Sequence, residues 1–389
     1  MKVMNRVLGL SLLAALTHSP VWAQSQVDPF TAQPAADWTA LFKRSSGWTG
    51  ADGVYSIPLA GDERPGSGAS QRTLVWFSDT FVGTVRPDGS RTATTMVNNT
   101  TAVIDGAMPD ASSLSFQVRH KGSGWQSMVK PPDASQWFWP NDGVVVGSRV
   151  YTFALRMKSA DTPPFAFATA GISLLSASAL EAAPFSASYK QVDAPLFVPA
   201  VAGGAGESSF GQAVMLHTAA AGAPRADGYL YVFGTRSAEY VKRLLVARVK
   251  PEKIGSFAAY RFWDGKAWNA DIRSAAAVTS GVSSEFSVHP LPDGRFMLTH
   301  MTDTLGKQVA VRYGDSPVGP WGKDVILWDC PEASLTPNTF VYGAKAHPHL
   351  STPTELLVSY HVNTFDFAEN FRAGGVEIYR PRFLKVPLR

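Results

Sequence analysis

Cysteine is almost missing from this chain: Cys330 is the sole one in 389 residues. An internal disulfide is thereby excluded, as is any multi-cysteine metal site, so the fold must rest on its apolar core. Long apolar runs are missing too. The run from Val7 to Leu16 is too short to span a bilayer, and no later segment reaches about 18 uninterrupted apolar residues, so no membrane span is expected. Long amphipathic helical patterns are all but absent; only Ala179 to Ala183 and Ala238 to Arg243 read as helical, and both are short. No basic run stands out, and 35 Lys+Arg against 31 Asp+Glu give a formal charge of +4. Nucleic acid is a poor partner for so balanced a chain; a small ligand or a neutral polymer fits better.

What is present begins with an export signal. Lys2 and Arg6 precede the Val7 to Leu16 run, and Val21-Trp22-Ala23 supplies small residues where a signal peptidase cuts, so residues 1–23 are read as a signal peptide and the protein as periplasmic or secreted. Residues 24–37 read as a linker, and 38–389 as a single domain, expected to be monomeric.

With 33 Gly, 27 Pro and 11% aromatics, that domain reads as many short strands separated by turns, an all-β architecture. The segment Gly47 to Gly83 sets the pattern. Val54 to Leu59 and Thr73 to Phe77 are β-branched or aromatic runs flanking a Gly/Pro/Ser-rich connection. Asp52 starts the first run and Asp79 ends the second, so an antiparallel hairpin brings the two carboxylates to one edge. Thr94 to Ile104 and Leu114 to Val118 are read as its outer strands. The same form recurs with Asp142 before Val144 and Arg156 after Tyr151 to Leu155; with Glu207 and Arg236; with Glu285 and His300; and with His347 and Asn363, where Gly375 to Tyr379 and Phe383 to Pro387 close the unit. Five such units predict a five-bladed β-propeller, in which inner strands start around one mouth. Asp52, Asp142, Glu207, Glu285 and His347 then form a ring. A pair of β-sandwiches is the structural alternative.

Crowded acids with arginines nearby are the ingredients of glycoside cleavage, which needs one protonated and one ionised carboxyl group flanking the bond. Tyr55, Trp137 and Trp139 are candidates for stacking on sugar faces. Each feature also has a plain structural reading: Asp52-Gly53 and Asp142-Gly143 are ordinary turn pairs, Glu207 follows a Gly-rich loop, and the arginines can serve as ion partners. His347-Pro348-His349 offers a metal-dependent lyase or esterase as an alternative. A glycan-binding propeller without catalysis is another. No cofactor is called for, although an axial cation such as calcium is compatible with the composition.

The stretches GWTGADGVYSIPL, LVWFSDTFVG, MVNNTTAV and SSEFSVHPLPDGRFML, with Gly319-Pro320-Trp321, YGAKAHPHLS and LLVSYHVN, resemble secreted bacterial propeller families of the domain-of-unknown-function type. Those families are similar to five-bladed propeller glycoside hydrolases acting on arabinans, xylosides and fructans. The resemblance runs from about Trp38 to Val386. Matched to arabinanase-like enzymes it implies Asp52 as base, Asp142 as the residue tuning pKa and Glu207 as acid; matched to D-arabinan-cleaving relatives it implies Asp52 with Asp79. The WMNDPNG and RDP motifs of fructosidases are missing, which weighs against fructans. The expected protein is therefore a polysaccharide-cleaving glycosidase, with arabinan-type furanosides favoured. Asp52, Asp79 and Glu285 would be catalytic, and Tyr55, Trp139, Asp142, Arg156, Glu207, Arg236, His347 and Asn363 would bind substrate.

Overall fold

The computed structural model describes residues 26–388, apart from 107–108, 123, 162–165, 202–203, 205 and 239–240. The expected signal peptide lies outside the described residues.

Most of the β-branched and aromatic runs pair antiparallel with a chain neighbour, and the molecule is all-β. Tyr55–Pro58 pairs with Arg72–Phe77, and Thr100–Asp105 and Leu114–Gln117 extend that sheet. The next sheet orders Gln136–Val146, Arg149–Ser159, Phe167–Ser178 and Lys190–Ala194. Glu207–His217, Tyr229–Ala238, Val241–Val249 and Arg261–Trp263 follow, then Phe286–Pro290, Phe296–Met301, Gln308–Gly314 and Val325–Asp329. The last sheet holds Thr339–Ala346, Glu355–Thr364 and Pro381–Pro387, with Gln33–Pro34 on its outer edge.

The first strand of each sheet lies beside the first strand of the next, from Tyr55–Pro58 round to Thr339–Ala346. Ser56 Oγ, 2.7 Å from His347 Nδ1, joins the last of these back to the first. The result is propeller-like, and the core sits in the seams. Tyr55, Trp76, Phe138, Val150 and Phe185 fill the seam between the first two sheets. Met215, Phe233, Phe286 and Leu298 fill a later one, and Trp38, Phe42, Trp48, Phe77 and Phe383 the seam between last and first. Each such side chain contributes about 1.5–3 kcal/mol on burial, so the seams hold the sheets at fixed angles without disulfides.

Several local expectations are corrected. Ala179 to Ala183 is a run of turns, and Ala238 and Val241 to Arg243 belong to strands, because Arg236↔Arg243 and Ala238↔Val241 pair in antiparallel register. Thr94 to Val97 does not join the first sheet. It belongs to a small extra sheet of Ser46–Ala51, Thr80–Val85 and Arg91–Val97. The chain turns away at Asn99, whose buried amide bonds Val129 O and Phe138 O at 3.0 Å each and accepts from Val129 N. Gly375 to Tyr379 is not a strand, since Arg91 donates to the carbonyls of Gly375 and Ile378 and holds that backbone as a turn. The supposed linker is also structured: Val27 is 3% exposed and Gln33–Pro34 pairs with Leu384 and Lys385.

Candidate active site

Asp52 and Asp79 meet where one long hairpin changes sheet. Ser46–Ala51 passes through Asp52 into Tyr55–Pro58, and Arg72–Phe77 passes through Asp79 into Thr80–Val85. Ser78 N donates to Asp52 O at 3.0 Å, which ties the two crossings together. Gly53 has φ +76°, and a Cβ there would lie 2.8 Å from Ser78 Oγ, so the junction requires glycine.

The Asp52 carboxyl group is unevenly served. Its Oδ2 accepts from Tyr342 Oη at 2.6 Å and from Tyr379 Oη at 3.3 Å, whereas Oδ1 is buried without a hydrogen-bond partner. Burial, then the charges of Asp79 and Glu285, push its pKa up to about 8 despite the two phenols. Asp79 Oδ1 accepts from Trp139 Nε1 at 2.9 Å and from Asn98 Nδ2 at 3.1 Å. Burial outweighs both donors and lifts Asp79 to about 6.

Glu285 enters from another sheet, just before Phe286–Pro290, and its carboxylate accepts from Lys345 Nζ. The Lys345 side chain is only 2% exposed; its ammonium also donates to Gly343 O at 3.1 Å and lies 4.3 Å from the Tyr55 ring centroid. Burial first, then Glu285, Asp142 and Asp52, raise the Tyr55 phenol well above its ordinary value, so it stays neutral. The strand register shifts between Tyr342 and Lys345, and Gly343 sits inside that bulge at φ +68°. A Cβ at Gly343 would approach His361 Cδ2 at 2.9 Å and Glu285 Oε2 at 3.3 Å. The bulge thus aims Tyr342 at Asp52 and Lys345 at Glu285 from one strand.

Of the residues expected at the site, Asp52, Asp79, Glu285, Tyr55 and Trp139 come together. Asn363 joins them indirectly, donating from Nδ2 to Tyr342 Oη at 3.4 Å. Asp142 lies near Tyr55 and Lys345, but Gly143 N at 2.8 Å and Val214 N at 2.7 Å occupy its two oxygens. Burial nevertheless raises it to about 7. The others are engaged elsewhere: Arg156 pairs with the exposed Asp193 at 2.7 Å, Arg236 bonds Ser208 Oγ and Ala275 O, and Glu207 accepts from Thr169 Oγ1. His347 is 2% exposed with its nitrogens on Ser56 Oγ and Ser359 Oγ, so it staples strands and has none left for substrate. Among the described residues no group of three or more His, Cys, Asp or Glu is arranged to hold a metal.

Sequence reasoning missed Tyr342, Lys345, Tyr379 and Asn98. Tyr342 and Lys345 are three apart, so strand alternation alone assigns them to opposite faces. For Tyr379, whose φ is +62°, no signal existed.

A cavity of about 350 Å³ is lined by Tyr55, Asp142, Lys345, Glu63 and His349 among others. The connection that carries Glu63 is tied down by Glu63 N bonded to Ala221 O and Gly66 N to Pro348 O.

A family model described as "Domain of unknown function (DUF5005)" matches residues 35–387. Among solved structures, the chain is similar to a "putative hydrolase" from Bacteroides ovatus, with a TM-score of 0.71 and 20% identity over 91% of this chain and 90% of that one. The catalytic domain of an α-L-arabinofuranosidase from Coprinopsis cinerea aligns with a TM-score of 0.43 and 11% identity, over 88% of this chain and 97% of that one. The notoamide biosynthesis cluster protein J of an Aspergillus species is 25% identical over 154 residues, which are 38% of this chain. That match spans 40% of the fungal protein's length.

Proposed function

The chain belongs to the DUF5005 family, and from that premise we propose an exported glycoside hydrolase, a five-bladed propeller that cleaves a polysaccharide, with arabinan-type furanosides favoured. The observation that carries the reading is the unequal treatment of two carboxyl groups on different sheets. Asp52 is crowded by other acids and has one buried oxygen free of partners, whereas Glu285 is held by a buried ammonium. A group that keeps its proton at neutral pH is suited to protonate a leaving oxygen, and a paired carboxylate to act as base or nucleophile.

This reverses the role expected of Asp52. It serves as the acid, Glu285 as the ionised partner, and Asp79 as the charge that holds Asp52 protonated. Tyr342 and Tyr379 fix the carboxyl plane by donating to Oδ2, so the proton is carried on Oδ1. Asn363 positions Tyr342. Lys345 holds Glu285 in place and stabilises its charge. Trp139, bonded to Asp79, offers an indole face at the mouth.

The test is product release by the purified protein from arabinans, arabinogalactans, xylans and fructans, beside Asp52→Asn and Glu285→Gln. Loss of about 10²–10⁴-fold in either variant is expected for removal of an acid or base. Retained cleavage in Asp52→Asn overturns the assignment. Binding without product release in the wild type moves the protein to the glycan-binding reading. Export is tested by the N-terminus of the protein recovered outside the cytoplasm, expected at Gln24.

A further inference from the structure

The two tyrosines on Asp52 are each backed by phenylalanines that reach the surface. Tyr342 lies 5.5 Å from Phe340, which stacks on Phe365 at 4.4 Å. Tyr379 lies 5.0 Å from buried Phe81, which carries Phe367 at 5.8 Å and Phe371 at 5.5 Å. Phe365, Phe367 and Phe371 are 55%, 53% and 36% exposed, an uncommon display of large apolar rings at one mouth.

These rings are held in place. The Glu369 carboxylate accepts from Thr336 Oγ1 at 2.9 Å, Asn338 Nδ2 at 3.0 Å and Thr364 Oγ1 at 2.6 Å, locking the loop before Phe340 to the loop carrying the other rings. Phe365 N adds a bond to Asn338 O at 3.1 Å. Beneath them the Arg91 guanidinium stacks 4.9 Å from the Phe81 ring and bonds four backbone carbonyls. Fixed phenyl rings lose little entropy when a flat ligand settles on them. They also carry no hydroxyl or indole N–H with which to meet sugar hydroxyls, so the surface matches an apolar ring better than a bare saccharide.

We propose that Phe340, Phe365, Phe367 and Phe371 form a subsite for an apolar, ring-bearing group on the leaving side of the scissile bond. The side follows from the acid: the group that protonates the leaving oxygen faces the leaving group, and both phenylalanine clusters adjoin the tyrosines that hold Asp52. This rests on the reading of Asp52 as the acid. It narrows the substrate to a glycoside whose leaving part bears an apolar ring, either as the aglycone itself or as an aryl ester on the sugar there.

The first experiment needs no catalysis. 2-Naphthylmethanol is titrated into the full mature chain and into Phe365→Ser and Phe367→Ser, with binding read by calorimetry and folding by the urea midpoint. Binding by the wild type, weakened about tenfold or more in the variants at an unchanged midpoint, is the expected result. Absence of binding, or equal binding by all three proteins, overturns the subsite. So does an arabino-oligosaccharide that binds, and is lost in the variants, where 2-naphthylmethanol does not bind. The second experiment compares the methyl and benzyl glycosides of the sugar released in the polysaccharide panel, and a disaccharide of it whose leaving sugar does or does not carry an aryl ester. A gain in kcat/KM for the benzyl glycoside assigns the ring to the aglycone, and a gain for the ester assigns it to a decorated sugar. Variant-sensitive naphthyl binding with no glycoside cleaved leaves the subsite standing and removes the glycosidase reading, so the two failures are distinguishable.

Discussion

Asp52 has two measurable consequences, one in rate and one in stability. As the acid it must be protonated to work, so kcat/KM is expected to fall as pH rises through about 8. A profile that rises through that range would identify Asp52 as a base instead. The stability effect has the same origin. The folded protein holds the proton up to about 8, whereas an unfolded Asp loses it near pH 4, so the folded state loses stability as pH rises between the two. Asp52→Asn removes that penalty. In urea melts the variant should match the wild type near pH 4 and exceed it at pH 8, by on the order of a few kcal/mol. Equal stability at both values would show that the carboxyl group is not desolvated. Lys345 and Glu285 behave oppositely, because each compensates the other. Lys345→Met leaves a carboxylate facing apolar surroundings and should cost about 3–5 kcal/mol, and adding Glu285→Gln should restore much of that. Additive losses would mean that the two groups do not act as a pair.

Strand ends and bulges decide which side chains reach the site, and here the sequence is only partly readable. The Asp52 to Asp79 hairpin was legible because both flanking runs are β-branched or aromatic and a Gly/Pro/Ser-rich connection between them reverses the chain. Glu285 was legible as an acid just before an inner strand. Lys345 and Tyr342 were not, since strict alternation would put residues three apart on opposite faces. The bulge at Gly343 inserts a residue and turns both side chains into the site. Arg156 and Glu207 were overestimated for a related reason: position at a strand end fixes a neighbourhood but not a partner, and Asp193 and Thr169 are nearer. The bulge gives a direct prediction. Gly343→Ala places a Cβ against His361 and Glu285 at positive φ, and should cost more than about 1 kcal/mol. Because that shift also moves Lys345 and Tyr342, kcat should drop by more than the change in the urea midpoint explains by unfolding. An alanine variant with normal kcat would show that the bulge serves folding alone.

The order of the second, third and fourth sheets was legible in the sequence because their main strands follow one another along the chain. How the ends of the chain meet was not, because the pairing that joins them spans nearly the whole sequence and Gln33-Pro34 has neither length nor alternation to mark it as a strand. The structure places this dipeptide on the outer edge of the last sheet, beside Leu384 and Lys385. Just before it, Val27 N donates to Tyr313 Oη and Phe30 N to Ile326 O, both at 2.8 Å, and Val27 and Ala32 enter a core shared with Leu327, Val358 and Leu384. The segment therefore clasps two sheets, and the clasp bears on the site, because Glu285 and Lys345 come from those same two sheets. A chain beginning at Ala36 should lose about 2–4 kcal/mol from the missing apolar contacts, read as a lower urea midpoint. It should also lose activity at temperatures where it remains folded, since the two sheets no longer hold the ion pair at a fixed separation. A chain beginning at Gln26 keeps the clasp and should match the mature protein in both measurements. If the Ala36 chain is equally stable and active, the contacts of residues 27–35 are incidental and the seams alone hold the sheets.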